Sequence, residues 1–227
     1  MKTYPIFAII ENRPCLVVGG GVVGERKVQD LRQAGARVTV LSYELTPTLK
    51  QLAAMGQIRY LNEDFTPEHL QGMVLVMAAT DDREVNARVS AAAQARGIWV
   101  NVADDPEFCT FIVPAQVKRG DLTLAISTGG ASPALARKLR EELQQRFGPE
   151  YGPYLSLLKG VRNRLLSDRR GRPENAALFH LLVDSPLLEA VARGDRGRVV
   201  AVLQEVLGDA LSPQVLGELT AEAFQES

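Results

Sequence analysis

The sequence predicts an α/β chain: a Rossmann-like parallel sheet, then a small α+β segment, then an all-helical carboxyl-terminal domain. Three observations predict it. Short apolar runs alternate with helical patterns up to residue 102. The first run enters the first helix through the glycines of "LVVGGGVVGERKV" at 16–28. After "GPEYGPY" at 148–154 no strand-like run appears.

The first run, "PCLVV" at 14–18, is short, apolar and bounded by turn residues, as a strand is. A helical pattern follows at 21–34, then "RVTVL" at 37–41, a helix over 46–55 and "IRYL" at 58–61. A short helix at 67–71 leads to "MVLVMA" at 73–78, and a longer one at 83–96 leads to "WVNV" at 99–102. Parallel neighbours need crossover connections, so this alternation reads as βαβ units.

Beyond residue 102 the pattern changes. "TFIVPAQV" and "DLTLAIST" flank "KRGD", a hairpin with Gly120 in the turn. A long helix over 133–147 follows. The tail reads as three or four helices, including 154–166, 186–192, 196–207 and 213–224, with "SDRRGRPEN" at 167–175 as a polar linker. The expected division is a Rossmann-like sheet domain at 1–111, a hairpin and helix at 112–150, and a helical domain at 151–227.

A chain of 227 residues can bury a sizeable core. With 26 Lys and Arg against 27 Asp and Glu, its net charge of −1 offers no general attraction to nucleic acid or an anionic membrane. Two cysteines, Cys15 and Cys109, make no disulfide framework. No basic-then-apolar leader opens the chain, and no apolar run approaches the ~20 residues of a membrane span. A cytoplasmic protein is expected.

Gly19, Gly21 and Gly24 match G-x-G-x-x-G between a strand and a helix. The first permits a tight turn, the second lets backbone approach a pyrophosphate, and the third allows close helix–strand packing. Val22 and Val23 then open the helix, whose N-terminus supplies free N–H donors and a positive dipole end. The acid that usually holds the adenine ribose is displaced: Ser42 ends the second strand, and Glu44 lies two residues on. With no arginine after that strand to receive a 2′-phosphate, NAD is the expected cofactor. In "AATDDREVN" the small Ala79 and Thr80 suit a strand end facing a cofactor, while Asp81 and Asp82 suit helix capping.

Asp104 and Asp105, in "NVADDPEFCTFIVP", follow the fifth strand's carboxyl end, where open α/β sheets place their sites. Acids before a proline also serve as plain turn formers. Cys109 lacks a histidine partner: only His69, on a solvated-looking helix, and His180, on an amphipathic one, exist. A Cys–His enzyme or a histidine-held metal site is therefore not expected.

"STGGASPALARKLREEL" carries a second anion-binding signal. Ser132 is an N-cap and Pro133 suits the first helical position. Before them Ser127, Thr128, Gly129 and Gly130 offer backbone N–H groups, and Arg137 and Lys138 add positive charge. Two such helix starts suggest two anionic ligands, a cofactor and a polycarboxylate or phosphate substrate; a capped helix with solvated arginines is the plainer alternative.

These stretches, "CLVVGGGVVGERKV", "AATDDREVN", "NVADDPEFCTFIVPA" and "STGGASPALARKLRE", in this order, resemble the precorrin-2 dehydrogenases. These are the dehydrogenase modules of siroheme synthases, some of which are also sirohydrochlorin ferrochelatases. The resemblance is close over 1–150 and looser in the tail. The methyltransferase domain that some members carry downstream has no counterpart expected in these residues.

The resemblance implies NAD-dependent oxidation of precorrin-2, a tetrapyrrole with eight carboxylates, to sirohydrochlorin. It matches the family's catalytic aspartate to Asp104. In chelating members the same aspartate takes pyrrole protons as ferrous iron enters, so no protein metal cage is implied. The resemblance also implies an intertwined homodimer through residues 110–147. A dinucleotide-binding regulatory domain without catalysis would explain the glycine loop but leave "TGGASP" without a role. A small hydroxy-acid dehydrogenase would want a proton-relaying histidine or lysine, and none is evident.

Overall fold

The structure is a computed structural model that describes residues 2–168 and 174–225. The chain divides into two compact units, residues 1–113 and 114–227.

The first unit is a parallel sheet of five strands in the order β3-β2-β1-β4-β5, built from β1 (Pro14–Val18), β2 (Arg37–Leu41), β3 (Arg59–Leu61), β4 (Leu75–Ala78) and β5 (Trp99–Val102). Chain order reverses between β1 and β4, which places a crevice at their carboxyl ends. Strand periodicity of two splits the central residues between the faces. Cys15 and Val17 join Val28 and Leu31 of α1 (Val22–Gln33) and Leu49 of α2 (Pro47–Ala54) on one face. Leu16 and Val18 join Val89 and Ala93 of α3 (Arg83–Gln94) on the other. Both faces are covered, so β1 and β4 are apolar throughout.

The short helix expected at 67–71 is a 3-10 turn, Pro67–Leu70. His69 there is not solvated: its side chain is 14% exposed, its Nδ1 accepts the Thr66 N–H at 3.0 Å, and its Nε2 lies 3.1 Å from Glu63. The 3-10 turn folds the ring back onto its own N-terminus.

The second unit opens with the hairpin β6 (Ala115–Arg119) and β7 (Leu122–Ile126). Lys118 and Arg119 belong to the strand, so the turn is only Gly120–Asp121, with Gly120 at φ 56° as a tight hairpin requires. Residues 110–113 lie outside that strand. The helix α4 (Pro133–Arg146) follows, and no residue of it is buried. The helices α5 (Tyr151–Asp168), α6 (Glu174–Asp184), α7 (Leu187–Ala192), α8 (Arg196–Leu207) and α9 (Pro213–Ala223) share a core around Leu157, Val161, Leu182, Leu203 and Leu216. α5 starts three residues before the expected helix, because Pro153 falls in its first turn, where a missing N–H costs nothing. The expected linker at 167–175 lies largely outside the described residues. His180 is exposed on α6, a helix as expected at that position though outside the four ranges given. Among the described residues no helix is long and apolar enough to cross a membrane.

Candidate active site

A cleft of about 810 Å³ opens at the carboxyl ends of β1, β2 and β4. Its lining includes Gly19, Gly21, Val22, Val23, Ser42, Glu44, Ala79 and Thr80, all but one of the residues expected at the cofactor. The exception, Gly24, lies behind them: a Cβ there would collide with the Gly19 carbonyl oxygen.

Each glycine of the loop meets a different constraint. Gly19, at φ 112°, leaves no room for a Cβ against the Ala79 carbonyl, so it seals β1 to β4. Gly20, which the motif leaves variable, is equally closed, because a Cβ would strike the Glu44 carbonyl oxygen. Gly21 alone faces open space, with no atom within 4 Å of its Cβ position. It is also the N-cap of α1 and makes no side-chain cap, so the first-turn N–H groups point into the cleft uncapped. The residues present therefore fit a dinucleotide: a backbone cradle at the one point where approach is open.

Ser42 is a structural member of this loop. Its hydroxyl accepts the Gly20 N–H at 3.0 Å and donates to the Glu44 carbonyl at 2.8 Å, tying the glycine loop to the end of β2. On the opposite wall, the Thr80 N–H donates to Asn86 Oδ1 at 3.3 Å and Asn86 Nδ2 donates to the Thr80 carbonyl at 2.9 Å. The Thr80 hydroxyl lies 2.8 Å from the same Asn86 oxygen. Asn86 is buried on α3 with Val89, Ser90 and Ala93, and nothing in its local sequence marks it as the partner of Thr80. Asp82 caps α3, accepting the N–H groups of Glu84 at 2.8 Å and Val85 at 3.1 Å.

Asp104 is two residues beyond β5, whose Val102 pairs with Ala78 of β4. It does not line the 810 Å³ cleft. Its φ of 59° is left-handed, a conformation that aspartate tolerates better than most side chains. It is exposed, and its carboxylate makes no hydrogen bond or ion pair among the described residues. Asp105 is committed, pairing with Arg83 Nε at 3.0 Å, and the Arg83 guanidinium lies 5.8 Å above the Phe108 ring. The half-buried Cys109 thiol accepts the Val102 N–H at 3.1 Å and lies 3.3 Å from the Asp105 carbonyl, closing the loop that carries Asp104.

The second glycine stretch belongs to the second unit. Ser132 caps α4, its hydroxyl accepting the Leu135 N–H at 3.2 Å. Thr128 Oγ1 accepts the Ser132 N–H, and Ser127 Oγ accepts the Gly129 N–H, so part of the donor set expected for a ligand is satisfied within the loop. Gly130, at φ 85°, faces open space. Arg137 and Lys138 are exposed and pair along the helix with Glu141 at 3.0 Å and Glu142 at 3.8 Å. No cluster of metal-ligating side chains occurs among the described residues.

Residues 6–115 match a family model described as NAD(P)-binding, and residues 119–146 match one described as the central part of the sirohaem biosynthesis protein. The siroheme synthase of Methylobacillus flagellatus is 55% identical over 152 residues, covering 67% of this chain and 32% of that protein. Siroheme synthase 1 of Aeromonas salmonicida is 44% identical over 197 residues, covering 86% of this chain and 42% of that protein. The chain thus spans less than half the length of these relatives. Among solved structures, that of "SirC, precorrin-2 dehydrogenase" superposes with a TM-score of 0.70 and 27% identity over 90% of this chain and 98% of that one. The chain is thus similar to part of the siroheme synthases, and its residues 6–115 match an NAD(P)-binding domain.

Proposed function

We propose that this chain is a cytoplasmic, NAD-dependent dehydrogenase that oxidises precorrin-2 to sirohydrochlorin. The observation that carries the reading is the pairing of a preformed dinucleotide cleft with an unengaged carboxylate, Asp104, beyond the adjacent strand. The bound nicotinamide supplies the hydride acceptor. Gly21 and the uncapped first turn of α1 hold the pyrophosphate, while Ala79 and Thr80 form the opposite wall. As hydride leaves the substrate, Asp104 takes the proton, so the tetrapyrrole loses two hydrogens and NADH and a protonated carboxyl appear. Asp104 suits that task because no other group competes for its oxygens. In the second unit, Ser127 to Ser132 with Arg137 and Lys138 are the residues proposed to meet the substrate's carboxylates. In the same reading ferrous iron is a second substrate, entering sirohydrochlorin as Asp104 receives pyrrole protons.

The chain acts as a homodimer in this proposal. The hairpin β6–β7 is a sheet of only two strands, and no residue of α4 beside it is fully buried. Isolated two-stranded sheets are marginal in water, so a second copy supplies the missing cover. Sedimentation at micromolar concentration should show a dimer; a monomer would remove this part.

The deciding experiment mixes the chain with precorrin-2 and NAD and follows absorbance. NADH and the sirohydrochlorin spectrum should rise together. A chain that binds NAD by calorimetry yet forms neither product would instead be a dinucleotide-binding regulatory domain.

A further inference from the structure

The charged residues lining the cleft are all acidic: Glu44, Glu63, Asp64, Asp81 and Asp82, with no lysine or arginine among them. Asp82 is spent on capping α3. Glu44 follows β2, and Glu63 and Asp64 follow β3, so three carboxylates ring the end of the cleft remote from the β4 wall. That end receives the adenosine half of a dinucleotide whose pyrophosphate lies at Gly21.

Two of these acids are held in place. His69 Nδ1 accepts the Thr66 N–H, so the ring carries its proton on Nε2 and donates it to Glu63 at 3.1 Å. Hydrogen bonding to Asp64, with smaller contributions from burial and that carboxylate's charge, holds the exposed Tyr43 phenol above its ordinary pKa. The Ser42 hydroxyl is engaged by Gly20 and Glu44 and so is not open to a 2′-phosphate.

We infer that Glu63 and Asp64, from the β3 exit, act with Glu44 as the specificity determinants of the cleft, admitting a ribose 2′-hydroxyl and repelling a 2′-phosphate. This rests on the dinucleotide reading above and names what the same cleft refuses. A phosphomonoester adds up to two negative charges beside three carboxylates, with no lysine or arginine in the lining to receive them. The hydroxyl of NAD can donate to a carboxylate instead. The sequence alone pointed to Glu44; the β3 exit is distant along the chain and enters only because β3 pairs with β2.

Calorimetry of the full chain with NAD and with NADP, at low and high salt, tests this. The wild type should prefer NAD, and added salt should narrow the gap by strengthening NADP, because exposed charges are screened. Removing both charges, in Glu63→Gln with Asp64→Asn, should lower the NADP-to-NAD ratio of Kd by about fivefold or more, since each exposed charge is worth roughly two- to fivefold. Equal affinities in the wild type, or a ratio unmoved by both salt and substitution, overturn the inference while leaving the dinucleotide site intact. Failure of either dinucleotide to bind overturns both.

Discussion

The carbonyl oxygen of Gly19 occupies the space that a Cβ at position 24 would need. Strand end and helix start therefore touch backbone to backbone, and α1 is docked against β1 at that point. Gly24→Ala should force the two apart, at a cost of about 1–3 kcal/mol for overpacking a buried position. Thermal unfolding of the first unit should occur several degrees lower, with NAD affinity reduced because the cradle is displaced. An unchanged melting temperature would show that the helix start shifts freely.

Gly21 should behave oppositely. It has φ −76°, open space around it, and the N-cap position of α1. Aspartate is a favoured N-cap, so Gly21→Asp should fold with equal or slightly greater stability. Its carboxylate would cap the first turn and repel a pyrophosphate, so NAD binding should fall at least about tenfold, as the loss of one good charge-assisted contact implies. Calorimetry checks the binding and a melting curve the fold; retained affinity would mean that the loop is only a turn.

Asp104→Asn keeps the left-handed backbone, which asparagine also tolerates, and removes only the base. NAD affinity should persist while turnover of precorrin-2 falls about 10²–10⁴-fold, the usual cost of losing a general base. Asp104→Ala should add about 1–2 kcal/mol of backbone strain, visible as reduced stability that the asparagine variant lacks. Asp105→Asn removes the pairing with Arg83 and should affect turnover much less. Near-normal turnover in Asp104→Asn beside a dead Asp105→Asn would assign the chemistry to the other carboxylate.

Burial raises the Cys15 thiol from 9.0 to about 11, with nearby Arg13 pulling weakly the other way. Because the folded value lies above the unfolded one, its contribution to stability is complete below pH 9 and is lost as pH rises toward about 11. Native protein at pH 8 should therefore protect Cys15 from alkylation, and denaturant should expose it. Mass spectrometry of the labelled peptide checks this; rapid labelling in the folded state would show that β1 opens.

The first half of the architecture was readable because each βαβ unit declares itself locally, by apolar runs of strand length and by turn residues such as those around Gly19. Asp82 and Ser132 were readable as caps for the same reason. What escaped was determined across the sheet. Gly20 is a variable position in the motif, yet the neighbouring Glu44 carbonyl allows no side chain there. His69 looked solvated because its partner, Glu63, is in a loop rather than on its own helical face. Arg137 and Lys138 read as ligand contacts from charge alone, whereas their neighbours Glu141 and Glu142 compete for them one turn on. The left-handed backbone of Asp104 has no composition signal, since it depends on a loop closed from behind by Cys109.

The Thr80–Asn86 pairing also bears on the kinetics of cofactor exchange. One buried amide closes the loop between β4 and α3 from both ends, so that wall exists before any ligand arrives. A cofactor entering such a cleft pays little conformational entropy on this side and waits for no loop to order. Association should run at the rate of diffusion and orientation, leaving residence time, and with it the turnover between successive oxidations, to the contacts broken on departure.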